Sequence, residues 1–352
     1  MLMTVRASWF ASDLRRELGL RNRLWGRGRA HVESYGNPPV IVYSPEHPTD
    51  EDLSGGIPAG GGRHGNFFDP AYAAIASRPE WMRRFDKIHA QGRALPKAES
   101  GRRWRELDSS MSSDALLMNV FCAPGVAEAP AVRRTLGVDG EDTPLFGWRA
   151  RVPLASGRFD RTEVDMRWGS LLVEAKLTEG DFQSCKAEVA ERYRDFDAVF
   201  ERALLPRVVL RTARRRTAVE FAEEFTQEWE DAVADEGMAH EFQEGIVARA
   251  QAVSAETGYA GYQLIRNVLA AYAEGCSFCA VHDARRPDLR EAWFQVMAAV
   301  KSAEMRVRLK VLTWQELAAL LAENLQQFLD LKYGIVGPGK VASAAGNASE
   351  LD

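Results

Sequence analysis

The sequence predicts an α/β fold with a mixed central β-sheet flanked by helices. Short apolar runs such as Leu171-Leu172-Val173 and Phe278-Cys279-Ala280-Val281 have the composition of buried strands. Longer stretches of helical spacing separate them, and several open on a capping residue, as Ser112-Ser113 does ahead of Ala115-Leu116-Leu117-Met118.

The elements read in order. Residues 1–60 are irregular apart from a helix near Ser12 to Leu20, and turn Pro/Gly-rich after Tyr35. A helix pair covers 71–76 and 79–89, and a capped helix covers 113–122. Strands follow near 145–153, 160–167 and 170–178. A helical stretch is expected from Asp181 to about Leu204, then a short apolar segment at Arg207–Leu210. The charged, helical residues of 217–255 read as an insertion or lid. A helix at 258–274, a strand at 277–283, a helix at 287–300, a strand at 305–312 and a helix at 314–332 complete the order. Thr313 is the expected cap of that last helix, with Trp314 and Glu316 in its first turn. The expected organisation is a partly irregular, helical N-terminal extension over 1–105, one domain over 106–335 with a helical insertion at about 212–256, and a disordered tail over 336–352.

Composition narrows the class. Apolar residues make up 46% and charged residues 27%, ordinary for a soluble globular chain. No apolar run of about 18 residues exists to span a membrane, and the N-terminus, with Trp9, Asp13 and Arg15-Arg16, lacks a signal peptide's apolar segment. A cytoplasmic protein is the expectation. The net charge of −5 does not advertise nucleic-acid binding, although a local basic cleft would suffice for it.

The most informative segment is a hairpin. Thr162-Glu163-Val164-Asp165 and Val173-Glu174-Ala175-Lys176 read as adjacent strands joined by a tight turn at Trp168-Gly169-Ser170. With period-2 alternation, Glu163 and Asp165 share one face. On the returning strand Leu172, Glu174 and Lys176 share one face, and Leu171, Val173, Ala175 and Leu177 form the apolar, buried one. Charges that interrupt such apolar strands need a reason, because unpaired buried charge is expensive. Two carboxylates at hairpin spacing can hold a hard divalent cation such as Mg²⁺. A lysine beside them can hold an attacking water or neutralise charge on a transferring phosphoryl group. A solvated hairpin with a Glu174–Lys176 ion pair, worth under about 1 kcal/mol, is the bland alternative.

The pattern Asp165, then Glu174-Ala175-Lys176, resembles the PD-(D/E)XK nuclease superfamily. Val164 stands where the family often carries proline. More narrowly, the chain resembles an uncharacterised bacterial family of restriction endonucleases. The residues that carry this likeness are His64-Gly65-Asn66-Phe67, Trp81, Lys87-Ile88-His89, the Ser112–Asn119 helix and Tyr262-Gln263-Leu264-Ile265-Arg266. The likeness covers roughly 64–335 and implies a restriction-endonuclease-like core. It implies a Mg²⁺-dependent DNA endonuclease, with Mn²⁺ as a substitute, acting in restriction or host defence and leaving 5′-phosphates. Asp165 and Glu174 would bind the metal, Lys176 would serve the attacking water, and Glu163, Gln263 and Arg266 would support them. Gln263 and Arg266 take part only if 258–274 is the core helix after the hairpin. If 181–200 is that helix, Gln183 is the candidate. A catalytically silent relative that binds nucleic acid or a protein partner is the alternative, and a homodimer is left open.

Basic residues supply candidate phosphate contacts. Arg149, Arg151, Arg161 and Arg167 sit on or beside the hairpin strands, with Arg158 near them. Further clusters occur at Arg102, Arg103 and Arg105, and at Arg211, Arg214, Arg215 and Arg216. Other chemistries find less support. Cys122, Cys185, Cys276 and Cys279 lack the spacing of an iron–sulfur or zinc site, neither of which is expected. The six histidines show no metal-ligand spacing, and the Gly-rich run at 55–62 lacks the Gly-Lys-Ser/Thr of a phosphate loop.

Overall fold

A computed structural model describes residues 2–27, 33–36, 40–43, 63–89, 104–210 and 256–339. The expected insertion at 212–256 and the tail therefore fall almost wholly outside the described residues. So do the Gly-rich run, Arg102, Arg103 and the 211–216 arginines.

Helix α1 (Leu2–Gly26) precedes a small β1–β2 ribbon (Glu33–Tyr35, Ile41–Tyr43). Then come α2 (Asp69–Ala76), α3 (Pro79–Met82), α4 (Ser113–Phe121) and α5 (Pro130–Leu136). Strands β3 (Leu145–Pro153), β4 (Phe159–Trp168) and β5 (Leu171–Ala175) form an antiparallel meander. The expected helix over 181–204 is instead three short pieces: β6 (Ser184–Lys186), α6 (Ala187–Glu191) and α7 (Phe196–Val199). After β7 (Arg207–Leu210) and β8 (Glu256–Ala260), helix α8 (Tyr262–Glu274) leads into β9 (Ser277–His282). The chain finishes with α9 (Pro287–Ala298), α10 (Ala303–Arg306), β10 (Leu309–Thr313), α11 (Trp314–Ala318) and α12 (Glu323–Tyr333).

The main sheet has the order β10-β9-β5-β4-β3, with β9 parallel to both β10 and β5. This is the mixed sheet that the sequence predicts. Strands β6, β8 and β7 form a second, smaller sheet.

Helices cover both faces of the main sheet. Leu171, Val173, Ala175, Cys279 and Val281 pack on one face against α4, α11 and α12 through Leu116, Leu117, Trp314, Leu317 and Phe328. Leu172, Phe278 and Ala280 pack on the other against Leu264, Ile265 and Val268 of α8 and Trp293 of α9. Strand β5 is thus buried on both sides, as its unbroken apolar run requires. Local signals set the helix ends. Ser112 Oγ accepts from the Ala115 N–H at 3.1 Å, and Thr313 with Glu316 makes the anticipated reciprocal cap. The expected 314–332 helix is split in two, and α1 is longer than the predicted 12–20 helix.

Alternation fails at one place, and the site depends on it. Met166 and Trp168 belong to the α4 side of the sheet, whereas Val164 belongs to the α8 side. Directly across on β3, Phe146 packs on the α4 side, whereas Ala150 and Val152 pack on the α8 side. The switch falls at Gly147 and Asp165. Gly147 has φ +63, a left-handed backbone that glycine tolerates. Glu163 and Asp165 therefore do not share a face, which corrects the reading from simple period 2. A Cβ at Gly147 would also stand 2.4 Å from Arg84 Nη1. Gly147→Ala is expected to lower stability by about 1–2 kcal/mol from the left-handed backbone alone. It also displaces Arg84, and chemical denaturation measures the loss.

Candidate active site

The site grows from the central strand. Glu174 is the fourth residue of β5 and Lys176 follows its end; they are 2% and 5% exposed. Two residues apart on a strand, they share the α8 face, as expected. Lys176 Nζ donates to Glu174 Oε1 at 2.7 Å. The ion pair is thus interior rather than solvated, which removes the bland alternative of an exposed pair. The Lys176 backbone is fixed by two hydrogen bonds: its N–H donates to Val281 O at 2.8 Å, and Trp314 Nε1 donates to its carbonyl at 3.0 Å. Its ammonium lies 5.7 Å from the Phe182 ring centroid.

Asp165 enters from β4 where the β4–β5 ladder opens. The last paired residues are Met166 and Val173. Beyond them the Asp165 side chain replaces a strand partner, with Oδ2 accepting from the Ala175 N–H at 2.8 Å. This carboxyl is pushed well above the usual aspartate range, first by burial and then by the charges of Glu174 and Asp114; Lys176 and the Ala175 N–H oppose the shift. Burial works against the charged form of Lys176, but Glu174, Glu179 and Asp165 outweigh it and raise its pKa. Lys176 therefore stands as a cation.

Helix α8 packs on β3, β4, β5 and β9, so it is the helix that covers the hairpin. Gln183 is exposed, and among the described residues its hydrogen bonds are made by the backbone: its N–H donates to Asp181 Oδ1 at 2.7 Å and its carbonyl accepts from the Tyr262 N–H at 3.0 Å. Arg266 reaches the hairpin, Nη2 donating to Glu163 O at 3.4 Å. Gln263 uses its backbone N–H on Phe182 O, and no hydrogen bond of its side chain is seen among the described residues. The residue that touches the acids is Asn267, whose Nδ2 donates to Glu174 Oε2 at 2.7 Å. Sequence reasoning missed it; the available signal was its spacing, one helical turn after Gln263 and hence on the same face.

Glu163 is turned to other partners. Arg84, 7% exposed, donates to Glu163 Oε1 at 2.7 Å and to Asp114 Oδ2 at 2.6 Å. Lys87 Nζ donates to Glu163 at 3.0 Å. Burial would raise the Glu163 carboxyl, but Arg84 and Lys87 hold it below the usual range. Glu163 is thus an ion-pair partner and not the third member of an acidic triad. Arg84 and Asp114 were also missed, since single charges on helices carry no spacing signal. The loop after Lys176 is clamped by fully buried Arg286, which donates to Glu179 O at 2.7 Å, Leu177 O at 3.3 Å and Gly180 O at 3.1 Å.

The four hairpin arginines divide. Arg149, Arg151 and Arg161 are exposed on the face opposite Ala150, Val152 and Val164. Arg151 and Arg161 are cross-strand partners. The guanidinium groups of Arg149, Arg151 and Arg161 make no ion pair among the described residues, although the Arg151 backbone N–H donates to Glu274 Oε1 at 3.2 Å. Arg167 differs: it donates to Glu274 at 3.1 Å and lies 4.6 Å from the Trp148 ring.

Among the described residues, no three His, Cys, Asp or Glu side chains are grouped to hold a metal. Buried Glu174 and half-buried Asp165 are nonetheless two hard oxygen donors that repel each other, and a divalent cation relieves that repulsion. The donor chemistry fits Mg²⁺ or Mn²⁺ and offers nothing soft. Cys122, Cys276 and Cys279 are buried in three separate apolar clusters, and Cys185 lies beside β8.

The family described as restriction endonuclease associating with ARP matches residues 29–334. The chain belongs to this family. No curated protein and no solved structure matches it. The fold is accordingly that of a restriction-endonuclease-like family, as the motifs anticipated. The outer motifs of this restriction endonuclease family member prove to be scaffold. Asn119 of α4 accepts from the Phe68 N–H at 2.7 Å and donates to Asn66 O at 3.1 Å. Asn66 donates to Leu107 O and Ser109 O, both at 2.8 Å, and buried His64 lies 3.2 Å from Asp108. Trp81 Nε1 donates to Pro144 O at 2.8 Å, just ahead of β3. These bonds seat α4 and the Arg84–Lys87 segment beside the hairpin.

Asp165 gives a pH test. Its folded pKa is raised, so between the ordinary aspartate value and that raised value the folded state binds more protons than the unfolded chain, and stability falls as pH rises. Asp165→Asn keeps an acceptor for Ala175 and removes the titration. The metal-free variant is expected to gain on wild type in unfolding free energy as pH rises from about 4 to 7. Urea denaturation across that range measures the difference.

Proposed function

We propose that this chain is a metal-dependent DNA endonuclease that hydrolyses phosphodiester bonds at Asp165, Glu174 and Lys176. The observation that carries the reading is the buried pair of Glu174 and Lys176, 2.7 Å apart on the central strand, with Asp165 at the open end of the same hairpin. Family membership supports a nuclease.

Asp165 and Glu174 would hold Mg²⁺, for which Mn²⁺ can be exchanged, and the bound ion would supply a water of lowered pKa and a Lewis acid for the phosphoryl oxygens. The remaining roles belong to the chain. Lys176 is kept protonated by three carboxylates, so it serves as a fixed cation that offsets charge developing on the phosphate rather than as a base. Arg266, with no acidic partner among the described residues, stands beside the hairpin for an adjacent phosphate. Gln263 supports it on the same helix face. Arg149, Arg151 and Arg161 form the backbone-binding strip. Like charges directly opposite on neighbouring strands destabilise a sheet, so the Arg151–Arg161 pair favours a polyanion over that face. Arg167 is assigned to Glu274 instead and leaves the DNA-binding set. The family description names association with ARP, and we carry such a partner to this chain, together with a cytoplasmic role in restriction or host defence.

One observation favours a second reading. Both oxygens of Glu174 already accept a hydrogen bond, from Lys176 and Asn267. A silent relative that binds nucleic acid or a protein partner without cutting it would show the same pair.

Plasmid cleavage separates the two readings. Purified protein is expected to nick supercoiled DNA with Mg²⁺ or Mn²⁺ and not with EDTA, and Asp165→Ala and Lys176→Ala are each expected to reduce the rate by about 10³-fold or more. Intact plasmid under every metal condition points to the silent relative. Arg151→Ala with Arg161→Ala is expected to weaken DNA binding without base preference. The slope of the logarithmic salt dependence should also become shallower by about 1 for each phosphate left unneutralised. Fluorescence anisotropy across a salt series measures both effects.

A further inference from the structure

Asn267 is fully buried on α8, and its side chain makes one hydrogen bond among the described residues, to Glu174 Oε2 at 2.7 Å. Its Oδ1 is buried and accepts nothing among the described residues. A carboxamide left half-satisfied inside a protein lowers stability. Its helix neighbours Ile265, Val268 and Leu269 are all buried apolar residues, so an apolar side chain would suit the surroundings. The amide stabilises this site only through Glu174, whose second oxygen would otherwise stand buried without that donor.

The orientation of the amide points to its purpose. An ionised carboxylate only accepts, so the NH₂ group must face Glu174 and the oxygen must face away. Glu174 is thereby held between two donors of different charge, Lys176 on Oε1 and Asn267 on Oε2, each at 2.7 Å. The ammonium neutralises what it touches and the amide does not. With Lys176 alone the carboxylate is free to turn both oxygens toward the ammonium. With Asn267 on the second oxygen, the carboxylate plane is fixed and part of its charge stays available.

We infer that Asn267 is a positioning residue that presets Glu174 for a divalent cation shared with Asp165. The inference rests on the nuclease reading above and assigns a part of its site. Groups that orient metal ligands typically alter metal affinity by about 10–100-fold.

The test uses the full chain with Asn267→Leu, close in size and without a donor. Mg²⁺ is titrated by calorimetry without DNA, and plasmid cleavage is followed against Mg²⁺ concentration. The expected result is a Mg²⁺ Kd raised about tenfold or more, a matching rise in the Mg²⁺ needed for half-maximal cleavage, and a much smaller fall in the rate at saturating Mg²⁺. A folded Asn267→Leu protein with unchanged Mg²⁺ affinity overturns the inference and leaves the nuclease standing. So does a fall in saturated rate with no change in affinity. Wild type that neither binds Mg²⁺ nor cuts overturns the nuclease reading and this inference with it. Circular dichroism checks the fold, and where Asn267→Leu does not fold, Asn267→Ala is read by the same criteria.

Discussion

A carboxylate and an ammonium 2.7 Å apart sit inside a two-faced α/β sandwich, on a strand whose other residues are all buried and apolar. Each charge taken out of water costs several kcal/mol, and only good geometry with further hydrogen bonds offsets that. The surroundings of Glu174 and Lys176 meet this requirement part by part. Asn267 takes the second oxygen of Glu174, Val281 and Trp314 fix the Lys176 backbone, and Arg286 clamps the loop that follows. The parallel neighbour β9, the cover helix α8 and the cap helix α11 are all placed by these bonds. A pair of this kind is a poor way to gain stability, since apolar residues of similar volume do as well or better. Its presence on the central strand is best understood through what the charges do.

The second constraint is the face switch at Gly147 and Asp165. It separates two carboxylates that are close in sequence. Glu163 goes to Arg84 and Lys87, and Asp165 goes to the open end of the hairpin. Arg84 crosses where any Cβ on residue 147 would stand, so the glycine, the ion pair and the position of Asp114 are one unit. The motifs around His64, Asn66, Trp81 and Asn119 hold that unit against the sheet. The same switch turns Arg149, Arg151 and Arg161 out to solvent, so the arrangement of acids and the basic strip have a common geometric origin.

The hairpin was legible because charge inside an apolar run is conspicuous, and because the Glu174–Lys176 spacing fixes a common face in any strand. The sheet's strands and the Ser112 and Thr313 caps were legible for similar local reasons. The relation of Glu163 to Asp165 was not, since period 2 presumes an uninterrupted strand. Gly147 within the Leu145–Pro153 run was the visible hint of an interruption. The 181–204 segment reads as helical by composition, yet Gln183 at φ +60 and tertiary pairing with β8 break it into short pieces. Arg84, Asp114 and Arg286 were beyond reach because each acts through a long-range contact, and Asn267 was marked only by its spacing from Gln263. A lone polar residue on an amphipathic helix looks the same whether it faces solvent or a buried acid.

The most direct test of this account is the anomalous diffraction of crystals grown with saturating Mn²⁺. The account predicts a Mn²⁺ peak between the carboxylates of Asp165 and Glu174, lost in Glu174→Ala. A saturated crystal with no peak there, or with Mn²⁺ held by other residues, would contradict it.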